Sequence, residues 1–291
     1  MKRFLEHLFY FVGLLIVQLV LIAGVEYVLF LVAPGVKQKL LLSMGAPEKS
    51  NYAYWDYLVT FKDWFGRIFT RGDLGRLMST GDPIRNFVFD TILVTIKLVV
   101  VALFICLVLS IVIIYLKKSF PNSRLVKGFV FSMQFLSSIH YIVLGYLVIV
   151  ELKMSQFPVF SYLILAVGNG MLNDMVELIE NELDGILNSP YYRAALARGG
   201  KLWRNILPPL GITLARIFNS KLPMLLGGSF IVEYVMNLHG IGVFTIQYGV
   251  RGTDYNLLLI YSLFVTLVIV FSNLMANSLQ KYLDPRPEKV F

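Results

Sequence analysis

Apolar runs about as long as a bilayer is thick recur along this chain, and they constrain the fold more than any other feature. Crossing about 30 Å of hydrocarbon takes roughly 20 helical residues. Five stretches meet that length: Leu8–Ala33, Ile92–Leu116, Phe129–Val150, Phe157–Met175 and Leu257–Gln280. A sixth, about Ile217–Met236, is weaker because it holds Lys221 and Pro223. A lysine near one end of a span can snorkel to the interface. The sequence therefore predicts an all-α polytopic membrane protein with six spans and both termini on one side. Composition agrees: 57% of the 291 residues are hydrophobic and 15% are charged, against about a quarter charged in soluble domains. A net charge of +8 is no sign of nucleic-acid binding, because the basic residues are scattered between apolar runs.

Their placement orients the chain instead. Short cytoplasmic loops are enriched in Lys and Arg. With the N-terminus inside, the inner segments hold Lys2 and Arg3, then Lys117, Lys118, Arg124 and Lys127. They also hold Arg193, Arg198, Lys201 and Arg204, and finally Lys281, Arg286 and Lys289. The short outer loops have only Lys153 and Arg251. Both termini are thus expected in the cytoplasm, with an uncleaved first span. The outer segment from Pro34 to Asp90 is too long for the rule to count. Within it, "NYAYWDYLVTFKDWFGRIF" (51–69) has the aromatic density of a folded amphipathic helix, lying on the outer membrane surface or against the spans. The expected organisation is an N-terminal span and outer loop (1–90), a five-span core (91–285) with a cytoplasmic loop at about 186–210, and a short tail (286–291).

No catalytic set is visible. His7, His140 and His239 lie far apart with no metal-ligand spacing, and Cys106 is the only cysteine, so no disulfide forms within the chain. The phosphate-binding pattern GxxxxGK[ST] and the GxSxG elbow are absent. Any ATP used must be hydrolysed by another chain.

One stretch, "SPYYRAALARGGKLW" (189–203), interrupts the apolar pattern. Ser189 is placed to cap a helix, Pro190 suits its first turn, and Gly199 or Gly200 can end it. A helix of about nine residues does not hold together alone in water and needs a packing surface, from its own spans or from a partner. An interfacial helix, basic because it is cytoplasmic, is the plainer alternative. "ILPP" (206–209) is expected to keep this helix from running straight into the fifth span.

The same stretch resembles the cytoplasmic E-A-A-x-x-x-G loop of permease subunits in bacterial ABC importers. Ala194, Ala195 and Gly199 match the alanines and the glycine, and Arg193 stands at the glutamate, as in the peptide-importer branch. "GDLGRLMSTGDPI" (72–84), "SSIHYIVLGYLVI" (137–149), "LLGGSFIVEYVMNLHGIG" (225–242) and "YLDPR" (282–286) are similar to further segments of that branch, in the same order. His140 and His239 replace prolines in that pattern. The resemblance is to B-type permease subunits of oligopeptide, dipeptide and nickel importers.

It implies a type I importer permease in the bacterial cell membrane, with no cofactor of its own. ATP and Mg²⁺ would sit on two partner ATPase chains; a second permease and an extracytoplasmic binding protein complete the assembly. Helix 190–199 would couple to the ATPase through Tyr191, Tyr192, Arg193, Ala194, Ala195, Arg198 and Gly199. Polar or small groups at membrane depth, His140, Asn169, Asn173, Gly227, Gly228 and Glu233, are the pathway candidates. A histidine bonded to a neighbouring helix and glycines at close helix contacts are the plainer readings. Asp174, Glu177, Glu180, Glu182 and Asp184 are expected to form a wet face leading into the coupling helix. A nickel importer of the same fold and a self-sufficient secondary transporter are the alternatives.

Overall fold

The computed structural model describes residues 2–32, 37–47, 54–77, 79–151, 159–199, 202–251 and 254–283. In chain order the helices are α1 (Lys2–Val32), α2 (Lys37–Ser43), α3 (Tyr54–Arg71), α4 (Arg85–Ser119), α5 (Arg124–Ser137) and α6 (Tyr141–Tyr146). They continue as α7 (Val159–Val167), α8 (Met171–Asn188), α9 (Pro190–Ala197), α10 (Leu202–Val235), α11 (Ile241–Phe244) and α12 (Tyr255–Leu283). Wide π-helical turns follow α6 at Leu147–Glu151 and α11 at Thr245–Arg251. Among the described residues there is no strand, only an isolated bridge between Arg76 and Pro83. The expected tail, 286–291, lies outside the described residues.

Among the described residues, two helices are long and apolar enough to cross a membrane alone, α4 and the Tyr255–Ser278 part of α12. Two bent helix pairs reach that length and hydropathy only when the two members are taken together. Arg124–Ser137 and Tyr141–Val150 meet at 102°, and Val159–Val167 and Met171–Asn188 at 56°. The straight spans expected at 129–150 and 157–175 are thus broken. The first and fifth expected spans fall on α1, apolar over Gly13–Leu29, and on α10.

A second expectation also fails. α10 runs unbroken from Leu202 through Pro208, Pro209 and Pro223. Proline removes a backbone donor and crowds the carbonyl four residues back. Pro208 and Pro209 lie near the start of α10, so the carbonyls they free belong to its first turn. The Pro209 carbonyl itself accepts from Thr213 Oγ1 (3.1 Å). α10 ends where Asn237 takes the left-handed conformation (φ 52°), as glycine often does at this position.

The chain divides into two compact units, with α4 and α12 contributing to both. Residues Met1–Ile96 and Asn237–Phe271 form the first. Within it Asn256 Nδ2 donates to the Leu74 carbonyl (2.9 Å), Ser79 Oγ to Asp254 (2.8 Å), and the Thr91 and Tyr261 hydroxyls meet at 3.0 Å. Gly75, with φ +84°, sits where a Cβ would be 2.7 Å from both Asn256 and the Ser43 carbonyl. The aromatic segment forms α3 from Tyr54 onward. The Tyr27 hydroxyl of α1 donates to the Tyr57 carbonyl (2.9 Å), Arg67 donates to the Met44 carbonyl, and Trp64 is fully buried.

Residues Lys97–Met236 and Ser272–Phe291 form the second unit. Its core starts from a stripe on α4 at helical spacing: Leu98, Ala102, Cys106, Ser110 and Ile113 are all buried. Small side chains on this stripe let α8 come close, and the Cys106 thiol lies 3.9 Å from the Met171 carbonyl. Opposite them Val100, Phe104, Val108 and Ile111 are exposed, as lipid-facing residues should be.

Candidate translocation and coupling elements

The bends of the second unit meet each other. α5 stops at Ser137 and α6 starts at Tyr141; between them His140 is extended (φ −67°, ψ 147°), and its ring Nδ1 accepts from the Ile142 N–H at 3.3 Å. His140 therefore caps a helix and is exposed, whereas a continuous span would have put it mid-helix. α7 stops at Val167, and Asn169 (φ 55°) and Gly170 (φ 78°) both adopt the left-handed conformation before α8 begins. Ending a helix at membrane depth frees backbone groups that lipid cannot satisfy. Here each break supplies the other. Gly170 N–H donates to the Ser137 carbonyl (2.6 Å) and Asn169 N–H to the Ile139 carbonyl (2.9 Å). Asn173 N–H reaches Ser137 Oγ (3.3 Å), and its Nδ2 reaches the Gln134 carbonyl (3.1 Å).

Glycines seat this junction against α10. Tyr141 is buried, and its ring lies 2.8 Å from where a Cβ on Gly168 would be and 2.5 Å from one on Gly228. A Cβ on Gly145 would meet Val235 at 2.7 Å. The pathway candidates therefore separate. His140, Asn169 and Asn173 are brought together at the breaks, and Gly228 joins them through Tyr141. Gly227 faces the other way, exposed, with nothing within 4 Å of an added Cβ. Glu233 is fully buried in α10, which fits a packed helix contact better than an open passage.

From the second break α8 leads to the basic stretch, and its acidic residues are engaged. Asp174 pairs with Lys221 (2.5 Å), Glu180 with Lys117 (2.5 Å) and Asp184 with Lys118. Glu182 accepts from Thr213 Oγ1 at 2.8 Å. The face expected to be simply wet braces α8 to α4 and α10, while Glu177 stays exposed. The other face, with Met171, Leu172, Met175, Val176, Ile179 and Ile186, is buried.

Ser189 ends α8 and starts α9. Its N–H donates to the Ile186 carbonyl (3.1 Å), and its hydroxyl accepts from the Tyr192 N–H (3.2 Å). Pro190 follows at the first helical position, and Gly199 (φ 72°) stops the helix after eight residues. A Cβ on Gly199 would touch nothing within 4 Å, so its conformation, not crowding, calls for glycine. Tyr192 is 7% exposed and packs α9 against its own chain. Arg193, Leu196 (47% exposed), Ala197, Arg198 and Gly199 point away, and Ala194 is half-buried. The side chains of Tyr191 and Ala195 lie outside the described residues. Among the described residues no three His, Cys, Asp or Glu side chains cluster as metal ligands.

The sequence profile of a family described as binding-protein-dependent transport system inner membrane component matches residues 114–289. Over 256 residues the chain is 25% identical to the oligopeptide transport system permease protein AppB of Bacillus subtilis, covering 79% of this chain and 80% of that one. It is 25% identical over 244 residues to the nickel import system permease protein NikB of Staphylococcus aureus, covering 79% and 72%. The metal-staphylopine import system permease protein CntB of Staphylococcus aureus is 22% identical over 261 residues, covering 83% and 81%. With more than half its length inside the profile, the chain belongs to the family of binding-protein-dependent transport inner-membrane components, as a B-type permease subunit of an ABC importer and a multi-pass, non-catalytic membrane protein.

Proposed function

We propose that this subunit forms half of the translocation pathway of an ATP-driven importer of oligopeptides or dipeptides in the bacterial cell membrane. It crosses the bilayer six times with both termini cytoplasmic. Its partners are a homologous second permease, two ATPase subunits carrying ATP and Mg²⁺, and an extracytoplasmic binding protein that releases the substrate into the cavity between the permeases.

The observation that carries the coupling role is α9. Eight residues fixed at one end by Ser189 and inside by Tyr192, with Arg193, Leu196 and Arg198 exposed, suit a short lever seated in a partner's groove. The braces on α8 support transmission. Movement of α9 passes through Ser189 into α8, and α8 is tied to α4 and α10 and runs back to the stitched breaks. Closure of the ATPase dimer would then shift these elements as a body and open the pathway to the other side. Leu196→Glu is expected to leave membrane insertion unchanged and to abolish both uptake and substrate-stimulated ATP hydrolysis. Normal uptake by this variant would overturn the coupling role.

A metal cargo is the second reading, favoured by relatives named for nickel and metal-staphylopine import at similar identity. The two separate in one assay. The complex is reconstituted with its binding protein, loaded in turn with a peptide mixture, nickel or a nickel chelate, and ATP hydrolysis is measured. Stimulation by peptide alone supports the first reading, and stimulation by nickel alone the second. Uptake driven by an ion gradient in vesicles holding this chain alone would instead mark a secondary transporter.

A further inference from the structure

We propose that α3 is a membrane anchor, with Leu58, Phe65 and Phe69 in the boundary between lipid headgroups and acyl chains and Lys62 and Arg71 at the phosphates. At 100° per residue Tyr57, Leu58, Phe61, Trp64, Phe65 and Phe69 share a sector of α3 about 140° wide, and exposed Val59 lies beyond Lys62. Half of it is used inside the protein. Trp64 is fully buried, the Tyr57 carbonyl accepts from Tyr27, and Phe61 packs on the Tyr27 ring at 4.8 Å. The other half is not. Leu58 is 48% exposed and Phe69 68%, with Phe65 between them on the same stripe.

The occupant follows from where that stripe starts. Tyr27 lies near the end of α1, and Val25, Val28, Leu29 and Val32 around it are exposed on a helix that is apolar from Gly13 to Leu29. α3 is therefore held at the level of the last turns of that apolar helix. A row of rings leads outward from this point, Phe61 to Phe65 at 5.8 Å and Phe65 to Phe69 at 5.0 Å. On the helix circumference Lys62 flanks one edge of the apolar sector and Arg71 the other, both exposed. An apolar stripe edged by cations on both sides, at the end of a lipid-facing helix, matches an interfacial helix on anionic lipid. The inference needs only α1 in the bilayer and holds whichever solute is carried.

The test is spin-label accessibility in the full transporter, in nanodiscs of phosphatidylcholine and phosphatidylglycerol. In a Cys106→Ala background, Phe69→Cys and, separately, Leu58→Cys carry the label. Thr70→Cys, one residue on and off the stripe, is the reference. Oxygen collisions exceeding those of a water-soluble nickel reagent several-fold at 58 and 69, with the reverse at 70, are expected. Preferential access of the nickel reagent at 58 and 69 would overturn the proposal. So would protection from both reagents, because it would mean that a protein covers the stripe. Uptake by these variants, measured in parallel, separates failure of the anchor from failure of the transport reading.

Discussion

α4 and the paired breaks of the second unit build membrane-deep structure in opposite ways. α4 is 35 residues of unbroken helix, its backbone bonds closed within itself, with a buried stripe and an exposed face. It needs neighbours for packing and not for hydrogen bonds. The breaks at 138–140 and 168–170 need each other. Neither set of freed amides and carbonyls has an alternative partner in lipid, so each bend is sustainable only beside the other. A straight span can be specified by one segment of sequence, whereas a broken span is specified by two. The broken pair in return gathers His140, Asn169 and Asn173, whereas the buried hydroxyls of α4, on Thr91, Thr95 and Ser110, each donate to a carbonyl of their own helix.

Four destabilising substitutions and one control on α4 probe that contrast. The largest effect is expected from Gly228→Val, which drives methyl groups into the Tyr141 ring. Overpacking of this kind costs about 3 kcal/mol, read as a large loss of thermal stability in detergent. Val100→Ala on the lipid face of α4 should leave stability nearly unchanged. Asn169→Val comes next: a β-branched residue at φ 55° is strained by about 2 kcal/mol, while Asn169→Gly should melt like the parent. Equal behaviour of these two variants would mean that the left-handed conformation is not what positions the second break. Lys221→Met then leaves Asp174 without its cation. Because that carboxylate is about half exposed, the loss should be about 1 kcal/mol, and Lys221→Met with Asp174→Asn should recover part of it. Smallest is His140→Ala, which removes a cap worth about 0.5–1 kcal/mol; His140→Asn, which can accept the same N–H, should restore the parent melting temperature.

Much of this was legible along the chain, but unevenly. The Ser189, Pro190 and Gly199 signals placed α9 because helix caps act over two or three residues and are written locally. The second break had a local signal too: Gly168-Asn169-Gly170 is turn chemistry inside an apolar run. The first break had none. Ser138-Ile139-His140 breaks the helix because Asn169 and Gly170, thirty residues away, offer donors to the carbonyls it frees. Pro208 and Pro209 misled in the other direction, since they mark a helix end from their own geometry, yet α10 continues through both. The acidic residues of α8 were visible as a cluster, but the partners that make them a brace, Lys117, Lys118, Thr213 and Lys221, are far off in the sequence.

By itself the sequence determined the solvent, the helical class, the amphipathic α3 and the capped α9, because hydrophobic runs, periodicity and caps are properties of neighbouring residues. Only the tertiary structure decided which spans bend, which way Tyr192 and Gly227 face, and that Glu233 is enclosed. Those outcomes depend on pairs of groups that must satisfy or exclude one another across the fold, and such pairs have no fixed spacing along the chain.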